Sequence, residues 1–158
     1  MSKSNFERMM DLVDATFDVK NDPNQLDVDF EIIENLDKIN VATVTELDHG
    51  NGPEAWILII PSNQDLMNLF IDKKISEKEL YERIPKDGKF DSLYLCSALV
   101  LEENRRKGIA MNLTINAIRE FEKNYPIKNL FVWTFTKEGE IVSKKIAIQC
   151  NLPLFERK

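Results

Sequence analysis

Three consecutive cations stand at a predicted strand-to-helix turn. Arg105, Arg106 and Lys107 follow the apolar run SLYLCSALV, and Gly108 and Ala110 come directly after them. The first turn of a helix leaves backbone N–H groups without intrahelical acceptors and carries about half a positive charge. Glycine lets the main chain approach an oxyanion closely because it has no Cβ. These residue types in this order predict a loop that binds a phosphate or diphosphate group.

The same residues could instead form a solvated turn, in which Gly108 only relieves a tight corner. However, cations at a helix N-terminus oppose the helix dipole, at a cost of roughly a few tenths of a kcal/mol each. A bound anion would remove that cost. The pattern therefore favours the phosphate interpretation over the solvated turn.

Composition sets the class of protein that these residues belong to. The length of 158 residues predicts one domain, residues 1–158, that can bury a core. Apolar residues make up 43% and charged residues 30% of the chain, which is typical of soluble proteins. The net charge of −6 disfavours a nucleic-acid binder, because no broad basic face is available to contact phosphates.

Cysteine and histidine usage excludes several kinds of chemistry. Cys96 and Cys150 lie in apolar contexts without the spacing of metal ligands, so neither a metal site nor a disulfide framework is expected. The single histidine, His49, lies in the loop DHGNGP, where a surface turn is favoured over a catalytic triad.

The run AWILII is too short to cross a membrane, and MSKSNFERMM lacks the apolar core of a signal peptide. We therefore expect a cytoplasmic protein without a membrane partner.

The elements before residue 90 are predicted from caps and periodicity. Ser4 with Glu7 forms a capping-box pattern that opens a first helix, and Ser76 with Glu79 forms another. A second helix is favoured over about 29–39, although the alternation of residues 28, 30 and 32 leaves a strand possible. Residues 41–47 and 54–60 predict an antiparallel hairpin across DHGNGP. Two short helices, QDLMNLFIDKK and SEKELYERI, then form an insertion at about residues 62–90.

Strands and helices alternate in the second half of the chain. The pattern predicts a strand over 92–101, a helix after Gly108, a strand over 130–135, a helix over 138–149 and a short strand within 152–156. Such alternation implies parallel pairing there, whereas the earlier hairpin implies antiparallel pairing. The prediction is an α/β fold with a mixed sheet flanked by helices.

The spacing Arg105-x-x-Gly108-x-Ala110 resembles the acyl-CoA-binding signature of the GNAT superfamily of N-acetyltransferases, usually written Gln/Arg-x-x-Gly-x-Gly/Ala. The strand, helix, strand and helix around it, from about Asp91 to Leu152, are similar to the core of that superfamily. The resemblance implies a GNAT-like domain with a helical insertion at about 62–90 and a shortened C-terminus. The insertion would overlie the acceptor side and shape the choice of acceptor.

The resemblance also implies a cofactor and a reaction. Acetyl-CoA would be the acyl donor, and the two strands before and after the helix would be parallel neighbours that splay apart to admit the thioester. A small-molecule or protein amine would attack the thioester carbonyl directly, without a covalent enzyme intermediate. The implied contacts to the pantetheine arm and the pyrophosphate come from Leu99, Val100, Leu101, Arg105, Arg106, Lys107, Gly108, Ile109 and Ala110.

The catalytic acid and base depart from the family pattern. Many members carry a carboxylate on the strand before the signature, where this chain has Leu95. Its neighbours Tyr94 and Cys96 are the candidate catalytic residues, although a structural role is favoured for each because buried strand cysteines are usually inert. Many members also carry a tyrosine on the last helix, where this chain has Ala147, and Ser143 is the one hydroxyl of that helix.

Two alternatives remain open at this stage. One is a non-catalytic acyl-CoA-binding or sensory module of the same fold, which the missing carboxylate and tyrosine favour. The other is an interaction protein in which RRKG is only a turn. A short final strand would also leave a sheet edge that a second copy could cover, so a homodimer is possible.

Overall fold

The computed structural model describes residues 3–17, 24–26, 28 and 30–158. Its helices are α1 (Asn5–Phe17), α2 (Phe30–Ile39), α3 (Gln64–Ile71), α4 (Glu77–Glu82), α5 (Ile109–Glu122) and α6 (Lys137–Cys150). Its strands are β1 (Val44–Asp48), β2 (Pro53–Ser62), β3 (Ser92–Val100), β4 (Asn129–Val132) and β5 (Leu154–Glu156). Single turns of 3-10 helix precede β1 at Val41–Thr43 and follow β3 at Glu102–Asn104.

The five strands form one mixed sheet in the order β1-β2-β3-β4-β5. β1 pairs with β2, and β2 with β3, in antiparallel directions. β3 pairs with β4, and β4 with β5, in parallel directions. This topology confirms the predicted α/β fold with a mixed sheet flanked by helices, including the hairpin across DHGNGP.

Both predicted capping boxes are present. The backbone N–H of Glu7 donates to Ser4 Oγ at 3.2 Å, and the N–H of Ser4 donates to Glu7 Oε2 at 3.1 Å. Ser76 and Glu79 make the same reciprocal pair at the start of α4. Each box satisfies N–H groups that a helix start would otherwise leave without partners, so the helical insertion begins where its sequence predicts.

Two predicted strands are shorter in the structure, and the helix favoured near residue 30 is confirmed. Residues 41–43 form a 3-10 turn instead of strand, because the Asn40 side chain accepts the N–H of Ala42 at 2.8 Å. β4 ends at Val132 instead of residue 135, since the chain turns toward α6, where Thr136 Oγ1 accepts the N–H of Gly139 at 3.0 Å. α2 is a helix, so the alternative strand near residue 30 is wrong; position 29 itself lies outside the described residues.

Helices cover both faces of the sheet. Ile118 and Phe121 of α5 pack with Leu93 and Leu130 on one face. On the other face, α2, α3 and α4 pack through Leu36, Met67, Phe70 and Leu80 against Leu58, Ile60, Tyr94 and Phe131. The run 57–60 of β2 is buried throughout, as expected of an interior strand. Within the described parts of the chain, no helix combines the length and apolar character needed to span a membrane.

Candidate functional site

β3 and β4 are paired over only part of the length of β3. Their parallel register runs from Ser92 with Asn129 to Leu95 with Val132, and β4 ends there. β3 continues to Val100. Residues 96–100 therefore form an edge of β3 that, among the described residues, has no strand partner on the β4 side. The predicted parallel neighbours are confirmed, and their pairing stops at mid-strand.

A β-bulge lies at the point where this pairing stops. Leu58 of β2 is opposite Ser97, whereas the next residue, Ile59, is opposite Leu95. Cys96 is thus an extra residue in β3. A bulge bends its strand and increases its local twist, and bulges occur preferentially beside functional sites. The bulge therefore bends β3 at the point where its pairing with β4 ends.

The backbone N–H and C=O groups of the unpaired edge point alternately toward β2 and toward the open side. The N–H of Leu101 donates to the C=O of Glu54 in β2 at 3.0 Å. Backbone groups alternate between the two sides of a strand, so Leu99 also faces β2, whereas Ala98 and Val100 face the open side. In agreement, the C=O of Val100 accepts a hydrogen bond from Arg105 Nε at 3.1 Å. Of the predicted pantetheine contacts, Val100 has its amide on the open side, and Ala98 is a candidate that the sequence did not indicate.

The turn between β3 and α5 exposes the start of the helix. Gly108 adopts φ 72° and ψ 13°, and Arg106 also has a positive φ of 66°. The first hydrogen bond of α5 joins the N–H of Asn112 to the C=O of Gly108 at 3.0 Å. The N–H groups of residues 109–111 precede that bond, and no described side chain caps them. These groups are available to an anion.

The side chains of the cationic turn, residues 105–110, form no ion pair with a described acid. Arg105, Arg106 and Lys107 are all exposed. Among the described residues, no carboxylate lies within 4.0 Å of the charged nitrogens of these three side chains. The start of α5 therefore combines free amides with three positively charged side chains that form no described ion pair, although Glu103 interacts electrostatically with Lys107. Such an arrangement suits a diphosphate.

Helix α1 supports this turn from the side. Arg8 Nη1 donates to Glu103 Oε1 at 2.7 Å, and Arg8 Nη2 donates to Glu103 Oε2 at 2.6 Å. The hydrogen bond from Arg8 is the main reason why the pKa of Glu103 falls to about 2. Met9, on the same helix, is fully buried against Leu99 and Leu101. α1 therefore holds the end of β3 and engages the acid that stands two residues before the cationic turn.

The two candidate catalytic residues lie in the core beneath the insertion. Tyr94 is fully buried, and its hydroxyl donates to Glu77 Oε2 at 2.5 Å. Glu77 Oε1 in turn accepts the N–H of Leu26 at 2.6 Å. Burial raises the pKa of both the Tyr94 hydroxyl and the Cys96 thiol, and Ser97 Oγ donates to Cys96 Sγ at 3.7 Å. These contacts favour structural roles for Tyr94 and Cys96.

Three other polar residues, Ser143, Asp91 and His49, are also used by the fold. Ser143 Oγ donates to the C=O of Gly139 within α6 at 2.7 Å. The C=O of Asp91 accepts the N–H groups of Lys128 and Asn129, which fixes the start of β4 beside β3. His49 lies exposed in the hairpin loop and contacts Glu54. These arrangements explain the three residues as parts of the scaffold.

Two surface concavities lie elsewhere on the molecule. One, of about 470 Å³, is lined by residues of α2, α4 and the segment before β3, including Ile39, Tyr81 and Phe90. The other, of about 670 Å³, lies between α6 and β5. Neither is bordered by residues 105–110. The cationic turn is thus an exposed surface site and not part of either cavity.

Several parts of the site were not predicted from the sequence. The bulge at Cys96, the Arg8–Glu103 pair and the Glu77–Tyr94 hydrogen bond all join residues that are distant in the chain or depend on strand register. β3 has one residue more than the part of β2 that pairs with it, and this extra residue is the one sequence signal that could have indicated the bulge.

No family model, curated protein or solved structure matches this chain.

Proposed function

We propose that the chain binds acetyl-CoA at the cationic turn and is a GNAT-type N-acetyltransferase. One observation carries the proposal: left-handed Gly108 opens α5 at the turn that follows the part of β3 without a described strand partner on the β4 side. An anion site and an open strand edge are thereby adjacent. A CoA thioester needs both, since it carries a diphosphate and an arm with amide groups.

Each part of the donor has candidate partners. The N–H groups of residues 109–111 and the charges of Arg105, Arg106 and Lys107 would hold the pyrophosphate. The backbone of Ala98 and Val100 would pair with the amides of the pantetheine arm. Arg105 would have to release the C=O of Val100, to which its Nε donates in the free protein.

The proposed reaction is a direct transfer. The neutral acceptor amine attacks the thioester carbonyl, so that a C–N bond forms and the C–S bond breaks. The amine loses one proton to solvent, and CoA leaves as a thiolate that takes a proton from solvent. A backbone N–H of the open β3 edge would polarise the carbonyl, as oxyanion-type donors do. Positioning of the two reactants supplies much of the acceleration, so the reaction does not require a side-chain acid or base.

A non-catalytic acyl-CoA-binding or sensory module is the second candidate. It is favoured by the burial of Tyr94 and Cys96 and by the use of the Ser143 hydroxyl within α6, since these groups are engaged in the scaffold. The two candidates share the donor site and differ only in turnover. Release of free CoA thiol from acetyl-CoA in the presence of an amine panel would distinguish them, because only the enzyme produces it.

Calorimetric titration with acetyl-CoA tests the donor site in both cases. Arg105→Glu should weaken binding about tenfold or more, because it replaces a charge-assisted contact by repulsion. Lys128→Glu makes the same change of charge at an exposed position before β4 and should leave affinity nearly unchanged. Unaltered affinity of the Arg105→Glu protein would overturn the assignment of the donor site.

A further inference from the structure

Arg157 is a cation placed inside the protein. It is only 7% exposed, and its guanidinium carbon lies 4.6 Å from the ring centroid of Phe70 and 4.5 Å from that of Trp133. Its Nη1 donates to the C=O of Ile75 at 2.7 Å and to the C=O of Phe70 at 3.3 Å. The guanidinium therefore packs against two aromatic rings that also contact each other edge to face, with ring centroids 6.1 Å apart. One of its nitrogens binds carbonyls of α3 and of the turn before α4.

The charge of Arg157 has no counter-ion among the described residues. In the described part of the chain, no carboxylate lies within 4.0 Å of the guanidinium, and no acceptor binds its buried Nε. The carboxylate of Glu77 is already engaged by Tyr94 and Leu26. Contacts with aromatic rings compensate only part of the cost of burying a charge, and an unpaired buried charge is strongly unfavourable. A bound anion would compensate this charge.

Arg157 also lies at the end of the sheet where the parallel strands finish, which is the end that carries the proposed acetyl-CoA site. Its backbone N–H donates to the C=O of Val132 at 2.9 Å. Val132 is the last residue of β4 that pairs with β3. The cationic turn follows the end of β3, so both positively charged groups stand at the carboxyl ends of two parallel strands. Ligand sites in sheets of this kind occur at that edge.

We propose that Arg157 binds the carboxylate of the acceptor, so that the acceptor is an amine that also carries a carboxylate. Nη1 is occupied by carbonyls, and no described residue accepts from Nε or Nη2. These two nitrogens form one of the edges with which arginine binds both oxygens of a carboxylate. This inference names the acceptor class and rests on the proposed acetyl transfer for turnover.

The subsite can be tested without acetyl-CoA by the fluorescence of Trp133. In a Trp56→Phe protein, Trp133 is the one remaining tryptophan, and it contacts the guanidinium. Titration with propionate should change its emission saturably, whereas propionamide, which has the same shape without the charge, should not. An equal response to both compounds, no response to either, or a stronger response to inorganic phosphate would overturn the proposed carboxylate site.

Substitutions separate recognition from a purely structural role. Arg157→Lys keeps the charge but cannot form the two-pronged contact, so the propionate response should weaken about tenfold or more. Lys158→Gln, at the exposed neighbouring position, should respond like the parent protein. If Arg157→Lys does not fold, the titrations of the Trp56→Phe protein still decide the matter.

Turnover measurements keep the two proposals distinguishable. The protein that retains Arg157 should acetylate an amino acid at a lower KM than the corresponding amino-acid amide. The Arg157→Lys protein should lose that preference. Equal KM values for the acid and the amide would overturn the acceptor class even if acetyl-CoA binds. A propionate response in a chain that does not bind acetyl-CoA would overturn acetyl transfer and support the anion subsite alone.

Discussion

Arg8 in α1 and Glu103, 95 residues later in the chain, form a two-pronged hydrogen-bonded ion pair directly before the cationic turn. The two side chains are 38% and 52% exposed, so the pair contributes little to stability. Its main effect is electrostatic. It compensates the negative charge that stands closest in sequence to the proposed pyrophosphate site, and it joins α1 to the end of β3.

The pair predicts a defined dependence of stability on pH. The pKa of Glu103 is about 2 in the folded protein and 4.5 without its partners. A lowered folded-state pKa contributes stability above the unfolded value, and this contribution is lost as the pH falls from about 4.5 toward 2. The Tm difference between the unmodified chain and Glu103→Gln should therefore be largest near pH 6 and shrink below pH 4.5. A difference that does not change with pH would contradict this role.

Removing only Arg8 should impair the donor site. Arg8→Gln leaves the Glu103 charge uncompensated near the cationic turn, so acetyl-CoA affinity should fall about two- to fivefold at low salt. The double substitution Arg8→Gln with Glu103→Gln should restore affinity, because it removes both charges. Lys3→Gln breaks the Lys3–Asp11 pair of the same segment and serves as control. A double variant as weak as Arg8→Gln would show that α1 acts by packing instead.

Gly108 and Gly88 form a matched pair for testing the turn. Their φ values are 72° and 71°, so alanine at either position should cost about 1–2 kcal/mol of backbone strain. A Cβ at Gly108 would have space, 3.9 Å from Asn112 Nδ2. It would, however, stand beside the free amides of α5. Gly108→Ala should thus lose acetyl-CoA affinity and Gly88→Ala should not, while both lose similar stability by denaturant titration. Equal affinities would remove Gly108 from the donor site.

Tyr94→Phe should be a stability variant. The change deprives the buried carboxylate of Glu77 of a hydrogen-bond donor, which should cost about 1–3 kcal/mol in the free energy of unfolding. Acetyl-CoA affinity and thiol release should stay near those of the unmodified chain under conditions where the variant is folded. Loss of thiol release with full stability would instead assign the Tyr94 hydroxyl to the chemistry.

Local signals in the sequence predicted much of the scaffold. Capping boxes at Ser4 and Ser76 specify their helices within four residues, so both are found where expected. The hairpin and the start of α5 after Gly108 depend on turn residues that are equally local. The order of helices and strands, and with it the mixed sheet, follows from these short-range patterns.

Features that depend on distant contacts could not be predicted in this way. The bulge at Cys96 results from the register of β3 against β2, and β4 ends early because Thr136 already caps α6. Spacing alone does not reveal that Arg157 packs against Phe70 and Trp133, 87 and 24 residues away in sequence. The cationic turn was found because its residues are consecutive, whereas the proposed acceptor subsite is assembled from three separate elements.

The most direct test of the central claim is a map of backbone amide shifts by NMR on addition of acetyl-CoA. Binding at the cationic turn predicts that the largest changes occur at the N–H groups of residues 108–111, with smaller changes at Ala98 and Val100. Unchanged amides at residues 108–111, with shifts confined to the concavity beside Ile39 and Tyr81 or absent throughout, would contradict the proposed donor site.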